Sequence, residues 1–129
     1  MKILVTGGAG FIGSYLCEAL LERGDSVVAL DDLSTGNVKN LASFEKSPNF
    51  KFVSGSILDE NLVKSLIDSV DGVMHFAAAV GVKKILDDPI GSMRTNIQGS
   101  EIVLTAAAEK NRPTILASTS EIYGKNSEV

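Results

Sequence analysis

The chain has one cysteine, Cys17, in 129 residues. No intrachain disulfide can form, and a reducing compartment is the default expectation. No long basic run is present and the net charge is −4, which argues against nucleic acid or a membrane surface as partner. No apolar run is long enough to span a bilayer, and the apolar stretch after Met1 is too short for a secretory signal. A cytoplasmic protein without a membrane partner is therefore expected. Internal repeats and low-complexity tracts are missing, and no residue set is assigned to a metal. What remains is a soluble globular balance, 44% hydrophobic and 22% charged, in a chain long enough to bury a core.

Its pattern alternates strand and helix. Lys2–Thr6 is a short β-branched run that ends in glycines, hence a buried strand. Residues 11–23 carry Ile12, Leu16, Ala19 and Leu20 at helical spacing, with Gly24 placed to close the helix. Further strands are expected at 26–30, 50–54, 72–77 and 114–118, and a short helix around 37–46. Asp59 is an expected N-cap, with Leu62, Leu66 and Ile67 of its helix facing inward. Asp88 followed by Pro89 marks the start of a long helix reaching about Lys110. This order implies an α/β, Rossmann-type doubly wound parallel sheet of five strands, covered on both faces, with ligands at the carboxyl ends of the strands. The pattern stops after the fifth strand, so the fold is expected to be incomplete at its C-terminal side. Residues 1–129 then read as the first portion of a longer protein.

Between the first strand and first helix lies Thr6-Gly7-Gly8-Ala9-Gly10-Phe11-Ile12-Gly13. Gly8, Gly10 and Gly13 make a G-x-G-x-x-G spacing, and Gly7, Gly10 and Gly13 a G-x-x-G-x-x-G spacing. Such glycines permit a tight turn, close approach of backbone to phosphate, and close strand–helix contact. The helix that follows offers free N–H groups and its positive dipole end to an anion. Gly7, Gly10, Phe11, Ile12 and Gly13 are therefore the expected pyrophosphate contacts. Asp31 lies 18 residues after Gly13, near the roughly 20 expected for a carboxylate on the adenosine ribose hydroxyls. Asp31, with Asp32 beside it, repels a 2′-phosphate, so the expected cofactor is NAD rather than NADP. Ser34, Thr35 and Gly36, running on to Asn37, would close over the adenosine.

These residues resemble the extended short-chain dehydrogenase/reductase family, and within it the NAD-dependent nucleotide-sugar epimerases and dehydratases. The likeness is carried by TGGAGFIG, by DDLSTG at 31–36, by HFAA at 75–78, by Asn96 with Gly99, and by STSEIYG at 118–124. It implies transient oxidation at C4 of a UDP- or dTDP-linked sugar, and a homodimer for the full-length protein. It also implies that Phe76, Ala77 and Ala78 line the nicotinamide side of the cofactor. Ser56 and Ile57 stand where the family has an acidic residue and an aliphatic one near the adenine, and the serine departs from that pattern. Asn96 is either a self-satisfied helix residue or a cofactor-side group. His75, the one histidine, reads as a buried, hydrogen-bonded strand residue rather than a general base. Lys83 and Lys84 read as a solvated pair.

The resemblance makes Thr119 the hydroxyl that bonds the sugar hydroxyl being oxidised, with Ser120 the neighbouring option. Glu121 stands where dehydratases and decarboxylases carry an acid, and reads either as a general acid or base or as a loop cap. The family's hydride chemistry needs Tyr-x-x-x-Lys, but Tyr15 is followed four residues on by Ala19 and Tyr123 by Ser127. Catalytic silence of the 129-residue chain is therefore expected. Two rivals remain: a non-catalytic NAD-sensing module, and an ordinary short-chain alcohol or steroid dehydrogenase.

Overall fold

The computed structural model describes residues 1–124, apart from the side chains at 82–84 and 120–121. Five parallel strands form one sheet: β1 (Lys2–Thr6), β2 (Ser26–Asp31), β3 (Phe50–Ser54), β4 (Gly72–His75) and β5 (Thr114–Leu116). Their order is β3-β2-β1-β4-β5, so the chain reverses its winding between β1 and β4. Register is tight at that junction, with Thr6 paired to Leu30 on one side and to His75 on the other. All three strands thus end level, at one rim of the sheet.

The helices take up both faces. Helix α1 (Phe11–Glu22) covers one, with a 3₁₀ turn at Val38–Leu41. Under them alternate residues Ile3, Val5, Val27 and Ala29 pack with Cys17, Leu20 and Leu41. Helices α2 (Glu60–Asp68) and α5 (Ser100–Glu109) cover the other. There Leu4, Val28, Leu30 and Val73 meet Val63, Ile67 and Val103. The period of two along each strand sends successive side chains to opposite layers, and the central strands are apolar on both faces because both are covered. The edge strands differ from that expectation: Ile115 and Leu116 of β5 are half exposed, at 55% and 50%.

The end signals act through identifiable bonds. Gly24 takes φ 91°, and its N–H reaches the Leu21 carbonyl at 2.9 Å, ending α1. Asp59 accepts the Leu62 N–H at 3.1 Å and Asp88 accepts the Gly91 N–H at 2.9 Å, each opening a helix. On α2 the inward set is Val63, Leu66 and Ile67, with Leu62 packed at its margin.

Four expectations are corrected. The long helix is not regular: α4 (Pro89–Arg94) passes through a π turn at Thr95–Gly99 before α5. Helix α3 (Val82–Asp87) was unforeseen, since no cap signal precedes it. The helix expected around 37–46 is only the four-residue 3₁₀ turn. Strands β4 and β5 stop at His75 and Leu116, because the residues beyond turn away to line the rim.

Candidate functional site

At that rim, over the carboxyl ends of the strands and at the reversal of winding, lies a cleft of about 960 Å³. Open α/β sheets hold ligands at this position. Its walls are built by the β1–α1 loop, the turn after β2 and the run that follows β4, with further lining from Gly55 and Ile57 after β3, from Thr95, Asn96 and Ser100, and from the run after β5.

The β1–α1 loop is a backbone construction. Gly7 takes φ 71° and donates its N–H to the Leu30 carbonyl at 2.8 Å. A Cβ at Gly7 would sit 2.8 Å from the Ala77 nitrogen and 2.9 Å from the Phe76 carbonyl carbon. A Cβ on Gly13 would collide with the Gly7 carbonyl oxygen. Gly10 caps α1 with no side-chain bond, and the first turn holds no acidic residue. The first N–H groups of a 12-residue helix therefore face the cleft without a protein anion to neutralise their dipole. Phe11 and Ile12 line the entrance and are largely exposed.

Asp31 ends β2 and is buried at 8% exposure. One carboxylate oxygen accepts the Ala9 N–H at 3.0 Å. The other accepts the Leu33 N–H at 2.8 Å. Each oxygen keeps acceptor capacity, because a carboxylate offers about four lone-pair sites. Ala9 also ties down the next turn, since its carbonyl accepts the Asn37 N–H at 3.0 Å and the Asn40 amide at 2.8 Å. Asp32, Ser34 and Thr35 line the cleft, and Asp32 accepts the Ser34 N–H at 2.9 Å. Gly36 is not on the lining, and a Cβ there would lie 2.8 Å from the Asp31 carboxylate. Ile57 lines the cleft beside Gly55. Ser56 does not, and its hydroxyl instead accepts the Leu58 N–H at 3.2 Å.

The run after β4 is held from both sides. Phe76, Ala77 and Ala78 line the cleft. The Asn96 amide brackets Ala79, accepting its N–H at 2.7 Å and donating to its carbonyl at 3.2 Å. Asn96 belongs to the π turn and also lines the cleft, so it serves as a clamp on this wall; π turns often mark functional sites. His75 is 2% exposed, with Nδ1 at 2.6 Å from the Thr6 hydroxyl and Nε2 at 3.0 Å from the Ser100 hydroxyl. Burial pushes its pKa below the ordinary 6.5. Thr119 lines the far end, after β5. The side chains of Glu121, Ser120, Lys83 and Lys84 lie outside the described residues.

Sequence spacing did not reveal Thr6, Ala79 or Ser100 as parts of the wall. Their partners lie 69, 17 and 25 residues away, and no local pattern encodes such pairs. Cys17 contributes no chemistry: it is fully buried, and burial pushes its thiol pKa up to about 12. Among the described residues no group of three or more His, Cys, Asp or Glu is placed to hold a metal ion, and no helix is long and apolar enough to cross a membrane.

An uncapped helix start, a buried acceptor at the end of β2 and a cleft between them suit an elongated ligand with a central anion and a hydroxyl-bearing end. Known proteins agree in kind. A sequence model of the family described as GDP-mannose 4,6 dehydratase matches residues 4–129. A UDP-N-acetyl-alpha-D-glucosaminuronate decarboxylase of Bacillus cytotoxicus is 41% identical over 124 residues, spanning 96% of this chain and 38% of that protein. A dTDP-glucose 4,6-dehydratase of Streptomyces niveus is 39% identical over 132 residues, spanning 96% and 39%. The crystal structure of a dTDP-glucose 4,6-dehydratase from Streptomyces venezuelae with NAD and TYD bound superposes with TM-score 0.92 at 36% identity, over 100% of this chain and 42% of that one. The Thermotoga maritima UDP-glucose 4-epimerase with UDP-glucose gives TM-score 0.87 at 37% identity, over 100% and 41%. The chain thus spans well under half the length of these relatives. It belongs to the GDP-mannose 4,6 dehydratase family, among the extended short-chain dehydrogenase/reductases.

Proposed function

We propose that residues 1–129 are the NAD-holding portion of an enzyme that acts on nucleotide sugars through transient oxidation at sugar C4. One observation carries this reading: the Gly7–Gly13 loop and the buried Asp31 carboxylate share one cleft wall. A pyrophosphate would take the N–H groups of Phe11, Ile12 and Gly13, beside Gly7 and Gly10, whose own N–H groups go to the Leu30 and Gly7 carbonyls, and the adenosine ribose hydroxyls would donate to Asp31. Asp32, Ser34, Thr35 and Ile57 would enclose the adenosine, with Gly36 shaping that turn and Ser56 its neighbour. Phe76, Ala77 and Ala78 would form the wall under the nicotinamide, held by Asn96.

When bound, NAD supplies the hydride acceptor. Thr119 would accept or donate a hydrogen bond at the sugar hydroxyl, and Glu121 would exchange a proton near the keto sugar. Neither tyrosine begins a Tyr-x-x-x-Lys, so the 129-residue chain is proposed to hold the cofactor without turning sugar over. The substrate region and a homodimer are assigned to the full-length protein. The same missing pair favours, as a second reading, a module that binds NAD and does no chemistry.

Calorimetric titration of the folded chain with NAD and NADP tests the reading. NAD should bind more tightly than NADP. Asp31→Asn should weaken NAD roughly tenfold to a hundredfold, as expected for loss of hydrogen bonds to a charged group, and should narrow the gap to NADP. Absence of heat with NAD on folded protein would overturn it.

A further inference from the structure

The Thr6–His75–Ser100 bridge has a direction that its geometry dictates. The Thr6 hydroxyl oxygen, fully buried, receives the N–H groups of Phe76 and Ala77, each at 3.2 Å. The Phe76 N–H shares itself with the Thr6 carbonyl at 3.1 Å, but both N–H groups are donors only, so the hydroxyl's own proton has one acceptor among its hydrogen-bonded neighbours. The acceptor is His75 Nδ1 at 2.6 Å. Nδ1 is then bare, and a neutral imidazole carries its single proton on Nε2. Nε2–H accordingly donates to the Ser100 hydroxyl oxygen at 3.0 Å. A second ring proton would point Nδ1–H at an oxygen that already receives the N–H groups of Phe76 and Ala77. That agrees with the downward push that burial gives this pKa, to which no charged side chain contributes.

The far end of the chain is what matters for function. Ser100 receives a proton from His75, so it is free to donate its own. No protein acceptor for it is found among the described residues: the bond to His75 is the side chain's one hydrogen bond. Ser100 is partly exposed and lines the cleft. Its bond to His75 ties it to the end of β4, and β4 and β2 flank β1 on opposite sides.

We propose that Ser100 is a ligand contact, whose hydroxyl donates to an acceptor oxygen on the nicotinamide-ribose half of the bound dinucleotide, and that His75 is the positioning residue that fixes the direction of this donation. The inference rests on the reading of the cleft as an NAD site. It adds a donor that the glycine loop and Asp31 do not supply. The ring also joins that donor, through Thr6, to the Phe76–Ala77 backbone of the same wall. Occupancy of the contact and placement of the wall are therefore linked through one rigid group.

Two measurements on the folded chain test this. Because His75 is the one histidine, its ring ¹⁵N resonances are unambiguous. They should show the neutral Nε2–H tautomer below the ordinary histidine range, and NAD should shift the Nε2 signal. In titrations with NAD, Ser100→Ala should weaken binding about threefold to tenfold, the loss of one neutral hydrogen bond, and Ser100→Thr should restore it. An Nδ1–H or cationic ring overturns the proton order. Equal affinity of wild type and Ser100→Ala overturns the contact, while leaving the NAD reading intact. Failure of the wild type to bind NAD overturns the NAD reading and this contact with it. Should Ser100→Ala lose the native ring signature, the wild-type Nε2 shift and the Ser100→Thr affinity decide.

Discussion

Replacing Gly7 by alanine should be among the most damaging single-methyl additions in this chain, and the structure allows its two costs to be separated. The first is conformational: Gly7 sits at φ 71°, and an L-residue there loses about 1–2 kcal/mol. The second is steric. The new Cβ would lie 2.8, 2.9 and 3.0 Å from the Ala77 nitrogen, the Phe76 carbonyl carbon and the Ala77 Cα. All three are backbone atoms, and Thr6 and Asn96 pin that backbone by hydrogen bonds. It cannot step aside cheaply, so overpacking adds about 1–3 kcal/mol. The sum is about 2–5 kcal/mol, or roughly 10–20 °C of melting temperature for a domain of this size. Gly24→Ala is the matched control, with φ 91° and nothing within 4 Å of its Cβ. It bears the conformational cost without the steric one. The smaller entropy of an unfolded chain carrying alanine, worth about 0.4–1 kcal/mol, is common to both variants and cancels in their difference. Thermal melts followed by circular dichroism should therefore place Gly7→Ala clearly below Gly24→Ala. If the two melt together, the contact between loop and β4 wall does not have the rigidity argued for it.

Thr6→Val keeps the shape but removes the hydroxyl shared by Ala77 N–H and His75 Nδ1. Two buried polar groups then lack partners, at about 1–3 kcal/mol each; Thr6→Ser should recover most of the loss in urea melts, and a Thr6→Val protein as stable as wild type would refute the network. The lowered pKa of His75 sets a sign for acid behaviour. The folded state binds this proton less readily than the unfolded one, so its contribution is complete above pH 6.5 and is lost as pH falls from there through the folded value. Urea midpoints should thus fall on acidification across that window, and a rising midpoint would contradict the assignment. Asp25 acts in the same sense at lower pH, because the Met1 amine first and Arg23 second hold its carboxyl below the usual range; melts repeated in the acid range should show stability lost as that carboxylate is protonated.

Much of the fold was legible because its signals are local. Gly24, Asp59 and the Asp88–Pro89 pair each act within four residues of themselves, and each ends or opens a helix where expected. The Lys2–Thr6 strand ends where its glycines begin. The lining residues on the Asp31 side of the cleft were legible from short motifs as well. Gly7 to Gly13 and Asp31 to Thr35 are two short strings joined by helix α1 and the parallel strand β2, and their spacing alone brings them together. Where local signals were absent or competed with packing, expectation and structure diverged. The π turn at Thr95–Gly99 has no propensity signature. It lies where Gly99 meets Ile57 closely and where Asn96 reaches Ala79, two contacts made only once the sheet is assembled. Ser56 and Gly36 are not among the lining residues: the Ser56 hydroxyl accepts the Leu58 N–H, and Gly36 lies close to the Asp31 carboxylate.

The two ends of the cleft are thus specified by different kinds of information. On the Asp31 side the groups lining the cleft are backbone N–H donors and one carboxylate, carried by two short strings at a recognisable spacing, so sequence can identify them. On the β4 side the facing groups depend on pairings such as Thr6 with His75 and His75 with Ser100, which span 69 and 25 residues. A polar bridge of that kind costs free energy unless every member is satisfied, and here every member but the Ser100 proton is. The one unsatisfied donor therefore sits on the cleft surface rather than in the core, where an unmatched proton would be hardest to tolerate. On the proposal made for Ser100, that position is what would distinguish a wall built for a ligand from one that merely packs. It also predicts that substitutions on the two sides will differ in character. Changes to Asp31 should alter the choice of dinucleotide, with a stability cost from the Ala9 and Leu33 N–H groups its carboxylate accepts, whereas changes to Thr6 or His75 should disturb stability and binding without altering that choice.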